Sequence, residues 1–167
     1  MQNWSKNVDF NDRALLQPES LAELQELVRS NAKLRARGTA HCFNEIANTS
    51  SYAINLSNMP KTIEVNSESK SVTVAAGLKY GELAPELHKQ GWALNNLASL
   101  PHISIAGSIS TGTHGSGIKN QNLANQVLSL DLVTAEGELR HIDRANPAFN
   151  ALVVGLGLGG IVYQYEL

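Results

Sequence analysis

The sequence predicts an α+β domain, because helical and strand periodicities are mixed with hairpins and do not repeat as strand–helix–strand units. Two observations carry this. Residues 62–65 and 71–74, separated by the polar stretch 66–70, read as one hairpin, and 127–134 with 139–142, around Ala135-Glu136-Gly137-Glu138, read as a second. Between the hairpins, over residues 95–117, apolar periodicity gives way to Gly, Ser, Thr and two His. A long loop of that kind inside a compact domain is usually functional.

The elements follow in order. Ser20-Leu21-Ala22-Glu23 has capping-box spacing, and Leu21, Leu24, Leu27 and Val28 recur on one face, predicting a helix over about 20–31. Residues 33–37 read as a short strand ended by Gly38, and 52–56 alternate as a second strand. After the first hairpin, Leu83 and Leu87 lie one turn apart in a helix over about 80–90, with Gly91 as its stop. Asn146-Pro147 is an N-cap and N1 pair for a helix reaching about Val154, and 161–167 alternate as a final strand.

Composition narrows the class of function. The chain of 167 residues makes one domain or two small subdomains. Thirteen Lys and Arg against fifteen Asp and Glu leave a net charge of −2, without the basic face that nucleic acid requires. The single Cys42 cannot close an intramolecular disulfide, which fits a reducing compartment. The N-terminus lacks the basic and apolar run of a secretory signal, and the apolar, Gly-rich stretch 151–163 falls short of the ~20 residues of a membrane span. The expectation is a soluble, cytoplasmic protein with no membrane and no nucleic-acid partner.

Gly155-Leu156-Gly157-Leu158-Gly159-Gly160 satisfies the G-x-G-x-x-G string, but a helix precedes it and a strand follows, the reverse of the dinucleotide fingerprint. A flexible or tightly packed helix-to-strand turn is the expectation. Gly107 to Gly112 has the two glycines of a phosphate-binding Walker loop, but Thr113 stands where the Lys that meets the phosphates belongs, which disfavours a nucleotide triphosphatase. No Ser occupies a G-x-S-x-G elbow. His41, His102, His114 and Cys42 show no metal-ligand spacing, so no metal is expected.

Two loops share one chemistry: Arg37-Gly38-Thr39-Ala40-His41-Cys42, after a strand, and the run from Ala106 to Gly117. Both gather backbone N–H groups, small side chains and hydroxyls, which is what a pyrophosphate asks of a neutral protein. Taken alone, His41 is open to several readings: a ligand, a base, a covalent attachment point or a loop histidine bonded to a carbonyl.

At Arg37-Gly-Thr-Ala-His-Cys-Phe-Asn-Glu-Ile-Ala47 and Asn96-Leu-Ala-Ser-Leu-Pro-His-Ile-Ser-Ile-Ala-Gly-Ser-Ile-Ser-Thr-Gly-Thr-His-Gly-Ser-Gly117 the sequence resembles the vanillyl-alcohol-oxidase-type (PCMH-type) flavoproteins. Within them it is most similar to the alditol (xylitol) oxidases, with the sugar-lactone oxidases as cousins, over essentially all 167 residues. The resemblance implies an FAD-binding domain of two α/β subdomains, about 1–75 and 76–167, with the flavin between them. It implies cofactor contacts from Ala36, Arg37, Gly38, Thr39, Ala40, His41 and Cys42 on the first loop and from Ser99, Ser104, Gly107, Thr111, Gly112, Thr113 and His114 on the second. Ile161 is implied on the adenine side, His41 as a covalent flavin link, and Ser99 as the catalytic contact to a polyol or sugar hydroxyl.

By the same resemblance, hydride passes from an alcohol carbon to the flavin and O2 is reduced to hydrogen peroxide. A histidyl link would hold the cofactor in register for this chemistry, which FAD itself performs. The family has Gly before the His and Ser or Thr after it, whereas this chain has Ala40-His41-Cys42. If position 40 needs a positive φ, Ala40 carries about 1 kcal/mol of strain, so FAD held with and without the link are both carried forward. Family members continue into a cap domain that polarises the substrate. None follows Leu167 here, so the expectation is either part of an oxidase or a catalytically silent FAD-binding module completed by a partner chain.

Overall fold

The computed structural model describes residues 1–167 and divides them between two sheets. The first is parallel. Strands β1 (Ala14–Leu16) and β2 (Leu34–Ala36) flank β3 (Tyr52–Ile54), in the register Leu16↔Ile54 and Ala36↔Ile54. Helix α1 (Leu21–Ser30) links β1 to β2. Its cap is the one expected, the Ser20 hydroxyl accepting from the Glu23 N–H at 3.2 Å. The Glu23 carboxylate, however, reaches past the N-cap to accept from the Glu19 N–H at 2.8 Å.

The second sheet is antiparallel, in the order β4-β5-β8-β6-β7. It consists of β4 (Ile63–Asn66), β5 (Ser71–Ala75), β6 (Ser129–Val133), β7 (Leu139–Asp143) and β8 (Ile161–Glu166). Both expected hairpins form, and β8 closes the sheet between them, with a bulge where Asp131 faces Gln164 but Leu132 faces Val162. Because Ala75 pairs with Gln164, the hairpin over 63–75 belongs to this second sheet. The chain passes from the first sheet to the second between Ile54 and Ile63.

Helix α2 (Tyr80–Lys89) ends at Gly91, whose φ of +78° an L side chain would resist. Two expectations need correction. The stretch 95–117 is not all loop, since it holds α3 (Ile105–Ser110), whose Ile105 and Ile109 are fully buried. Helix α4 (Phe149–Val153) starts later than Asn146-Pro147 suggested, because Asn146 Oδ1 accepts from the Ala148 N–H at 2.9 Å in a turn ahead of the helix.

The larger core joins α2, α3 and α4 to the antiparallel sheet through Val74, Leu83, Ile109, Leu130, Phe149 and Tyr165. A smaller cluster, Leu24 and Val28 of α1 with Ile54, Val133 and Ile161, packs the parallel sheet against the antiparallel one. No helix is long and apolar enough to cross a membrane.

Candidate functional site

In parallel sheets ligands gather beyond the carboxyl ends of the strands. Strand β2 ends there at Ala36, and the loop that follows is held from behind. Asn55 Nδ2 donates to the carbonyls of Arg37 and Gly38 at 2.7 and 3.0 Å. The Trp4 N–H donates to Ala40 O at 2.8 Å, Asn3 Nδ2 to Cys42 O at 2.7 Å, and Asn7 Nδ2 to Phe43 O at 3.0 Å. With these carbonyls tied back, the backbone N–H groups of Gly38, Thr39, Ala40, His41, Cys42 and Phe43 have no acceptor within the protein. A run of free amides on a turn is an anion cradle. Ala40 has a φ of +59°, the left-handed conformation anticipated at this position.

Arg37 has another task. Its guanidinium is buried, pairs with Asp12 at 2.6 Å and lies 3.9 Å from the centre of the Phe10 ring, so its side chain anchors the loop from within. The same pair holds the Asp12 carboxyl below the usual carboxylate range, chiefly through the hydrogen bond from Arg37.

The second loop meets the first directly. The Ser104 N–H donates to Thr39 Oγ1 at 3.3 Å, and the Ser104 hydroxyl caps α3 by accepting from the Gly107 N–H at 3.3 Å. A Cβ on Gly38 would lie 2.3 Å from Ser104 Oγ and 3.4 Å from the Gly107 Cα, so only glycine allows the two loops this approach. Beyond α3, the Thr111 hydroxyl bonds back to Gly107 O at 2.9 Å, and Gly112 has a φ of +63°. The N–H groups of His114, Gly115, Ser116 and Gly117 are again without acceptors in the protein.

The Gly155 to Gly160 segment is the helix-to-strand turn the sequence suggested, and it closes the third side. The Leu156 N–H donates to Ser110 O at 3.3 Å, and a Cβ on Gly157 would lie 3.3 Å from the Ala36 Cβ.

His41 sits at the junction. Its Nδ1 lies 3.0 Å from Thr39 Oγ1, while its Nε2 is buried with no hydrogen-bond partner. The His102 ring is 4.7 Å from it, and the Trp4 ring stacks on it at 5.4 Å. Burial, and then the charge His102 can carry, hold His41 below the ordinary imidazole value. No group of three or more His, Cys, Asp or Glu is arranged to hold a metal ion.

The remaining expected residues are spread out. Ser99, Thr111 and His114 are exposed, Gly112, Thr113 and Cys42 are half-buried, and Ile161 retains only 7% of its surface, within the cluster that joins the sheets. Five contributors went unread in the sequence: Asn3, Trp4, Asn7, Asn55 and the pairing of His102 with His41. Each acts across a long chain separation, and no local pattern marks it.

A cradle of unpaired amides between two sheets, lined by glycines and hydroxyls and with a half-buried imidazole beside it whose Nε2 has no partner, is the arrangement of a domain that binds an anionic nucleotide cofactor. The chain belongs to the FAD-binding domain family, whose model matches residues 13–143. The residues present suit FAD. The free N–H groups of the first loop offer the donors that a diphosphate would require, and Gly38 and Gly107 permit the close approach of the two loops. The chain is 39% identical to an alditol oxidase of a Streptomyces species, over 99% of this chain and 40% of that protein. It is 35% identical to the L-gulonolactone oxidase of Mus musculus, over 99% and 39%. To the L-gulono-1,4-lactone dehydrogenase of Mycobacterium tuberculosis the identity is 33%, also over 99% and 39%. The chain thus spans about two-fifths of the length of these relatives.

Proposed function

We propose that this chain is the FAD-binding part of a flavin-dependent oxidoreductase that oxidises the CH–OH group of an alditol or a related sugar-derived alcohol. The observation that carries the reading is the run of acceptor-free N–H groups from Gly38 to Phe43, which includes His41 and is held against the second loop where Gly38 meets Ser104 and Gly107. In this reading the first loop holds the diphosphate, His41 anchors the flavin covalently, and Ser99, exposed ahead of α3, meets the substrate hydroxyl. FAD when bound supplies the hydride acceptor, and O2 takes up the electrons as hydrogen peroxide. Relatives named for the oxidation of an alditol and of L-gulonolactone, both polyhydroxylated sugar derivatives, support the substrate class.

The test is an absorption spectrum of the purified protein before and after acid precipitation, followed by peroxide production with xylitol and with L-gulono-1,4-lactone. Yellow colour retained in the pellet supports the His41 link, and colour released to the supernatant leaves FAD bound without it. A protein that stays colourless with added FAD overturns the reading. Because the chain spans two-fifths of its relatives, a second reading is a silent FAD-binding module completed by a partner chain. Bound flavin without peroxide from any polyol or lactone would favour it.

A further inference from the structure

We propose that His102 is a positioning residue for His41, holding that imidazole in place and in its neutral form. The inference rests on the reading of His41 as the flavin anchor, and its geometric part stands apart from that reading. Three rings from three separate stretches of chain meet here, with centroids 4.7 Å apart for His41 and His102, 5.4 Å for Trp4 and His41, and 6.3 Å for Trp4 and His102. Trp4 and His102 are themselves exposed, yet His41 Nε2 beneath them is buried and unpartnered. Neither outer ring gives that nitrogen a hydrogen bond.

The ring is fixed from every side. The Trp4 backbone is tied to Ala40 O at 2.8 Å, Thr39 Oγ1 holds Nδ1 at 3.0 Å, and the Ser104 N–H, two residues beyond His102, grips the same Thr39 hydroxyl at 3.3 Å. The titratable groups around His41 are His102 from the facing loop and Cys42 next in the chain, since Arg37 turns away to Asp12 and Trp4 does not titrate. Two imidazoles at this separation repel when both are protonated. A proton on His102 thus opposes one on His41, and burial acts in the same direction.

Neutrality matters for the tether, because only a neutral imidazole has a lone pair to give. In that step a His41 ring nitrogen bonds to the 8α carbon, and the imidazole N–H proton and one methyl hydrogen are lost. The electron pair and two protons pass to the flavin ring, and O2 removes them as hydrogen peroxide.

The test compares the chain with its His102→Gln and His102→Phe variants. The His41 ring resonances, identified by their loss in His41→Ala, are titrated by NMR before flavin is added, and the acid-stable share of bound flavin is measured after loading in protein held between pH 6 and pH 9. In both variants the His41 midpoint is expected to move upward. In His102→Gln the acid-stable share is expected to fall several-fold at pH 6 and to recover toward pH 9, a pH dependence that lost packing alone would not produce. A His41 midpoint unchanged in both variants overturns the proposal. Wild-type flavin released entirely by acid overturns the tether reading instead, and the NMR midpoint still decides whether His102 controls His41.

Discussion

The α-carbon of Gly38 faces the hydroxyl of Ser104 so closely that a methyl group there would lie 2.3 Å from Oγ. Since Ser104 also caps α3 and is tied to Thr39, this contact sets the spacing of the two loops that form the cofactor cradle. The φ of Gly38 lies outside the left-handed region, so alanine is barred here by the neighbour and not by the backbone. Gly38→Ala is expected to cost about 2 kcal/mol from overpacking and to weaken FAD binding. Ser104→Ala is expected to cost about 1 kcal/mol as a lost cap. With the hydroxyl gone, the new methyl meets only the Gly107 Cα at 3.4 Å and the Ser104 Cβ at 3.6 Å. The double variant should therefore lose less than the sum of the two, as read by urea unfolding of the four proteins in one cycle. Additive losses would show that the loops do not meet as described.

Arg37 and Asp12 supply a pH-dependent term. Their side chains are 1% and 11% exposed, and the bond between them holds the Asp12 carboxyl below its unfolded value. A carboxyl depressed on folding contributes stability that is complete above its unfolded value and disappears as pH falls through its folded value. Thermal melts from pH 7 to pH 3 should therefore show an acid limb in the wild type that Asp12→Asn flattens. Arg37→Met leaves the carboxylate without its partner and is expected to cost about 3 kcal/mol at pH 7, a loss that shrinks on acidification as Asp12 becomes neutral. A loss for Arg37→Met that stays constant with pH would mean that the pair contributes packing alone.

Ala40 tests the strain anticipated from its position before His41. Its φ of +59° is left-handed, yet its methyl is buried against Val8 and Phe10. Ala40→Gly should recover about 1 kcal/mol of backbone strain, lose about 0.8 kcal/mol of methyl burial, and lose a further ~0.5 kcal/mol or more to the freer unfolded chain. The opposing effects nearly cancel, so the expected change is under about 1 kcal/mol, with FAD retained. Calorimetry of both proteins checks this, and a gain of several degrees in Tm would show that the methyl contributes little.

What was legible in the sequence had a local cause. Ser20 and Glu23 mark the start of α1 and Gly91 the end of α2, because caps and left-handed stops are chosen by residue type at one position. Strand β1 stayed hidden because Ala14, Leu15 and Leu16 are too few to alternate. Helix α3 stayed hidden because between Ile105 and Ile109 it uses Ala106, Gly107 and Ser108, small residues suited to close packing that carry no apolar period. In the site, Gly, Ser, Thr and His announced the two loops by composition. The direction in which the first loop points its amides is set by Asn3, Asn7 and Asn55, and nothing in the order of residues fixes those distant bonds.

Tyr165 offers the last test, at the centre of the antiparallel sheet. It lies in β8 between Val74 of β5 and Leu130 of β6 and is wholly buried. Its hydroxyl makes no hydrogen bond of good geometry, with the Ser110 hydroxyl the one side-chain group near enough to act on it, and burial pushes its ionisation well above the usual phenol range. An unpaired buried hydroxyl forfeits its bond to water and gains nothing in return. Tyr165→Phe removes that loss and keeps the ring, so it is expected to be neutral or to stabilise by about 1 kcal/mol. Tyr165→Ala removes the ring as well and is expected to cost about 4 kcal/mol through the cavity it leaves. Urea midpoints at unchanged m separate the two effects. A loss of more than about 1 kcal/mol in Tyr165→Phe would mean that the hydroxyl makes a bond in solution, and that the sheet depends on it there.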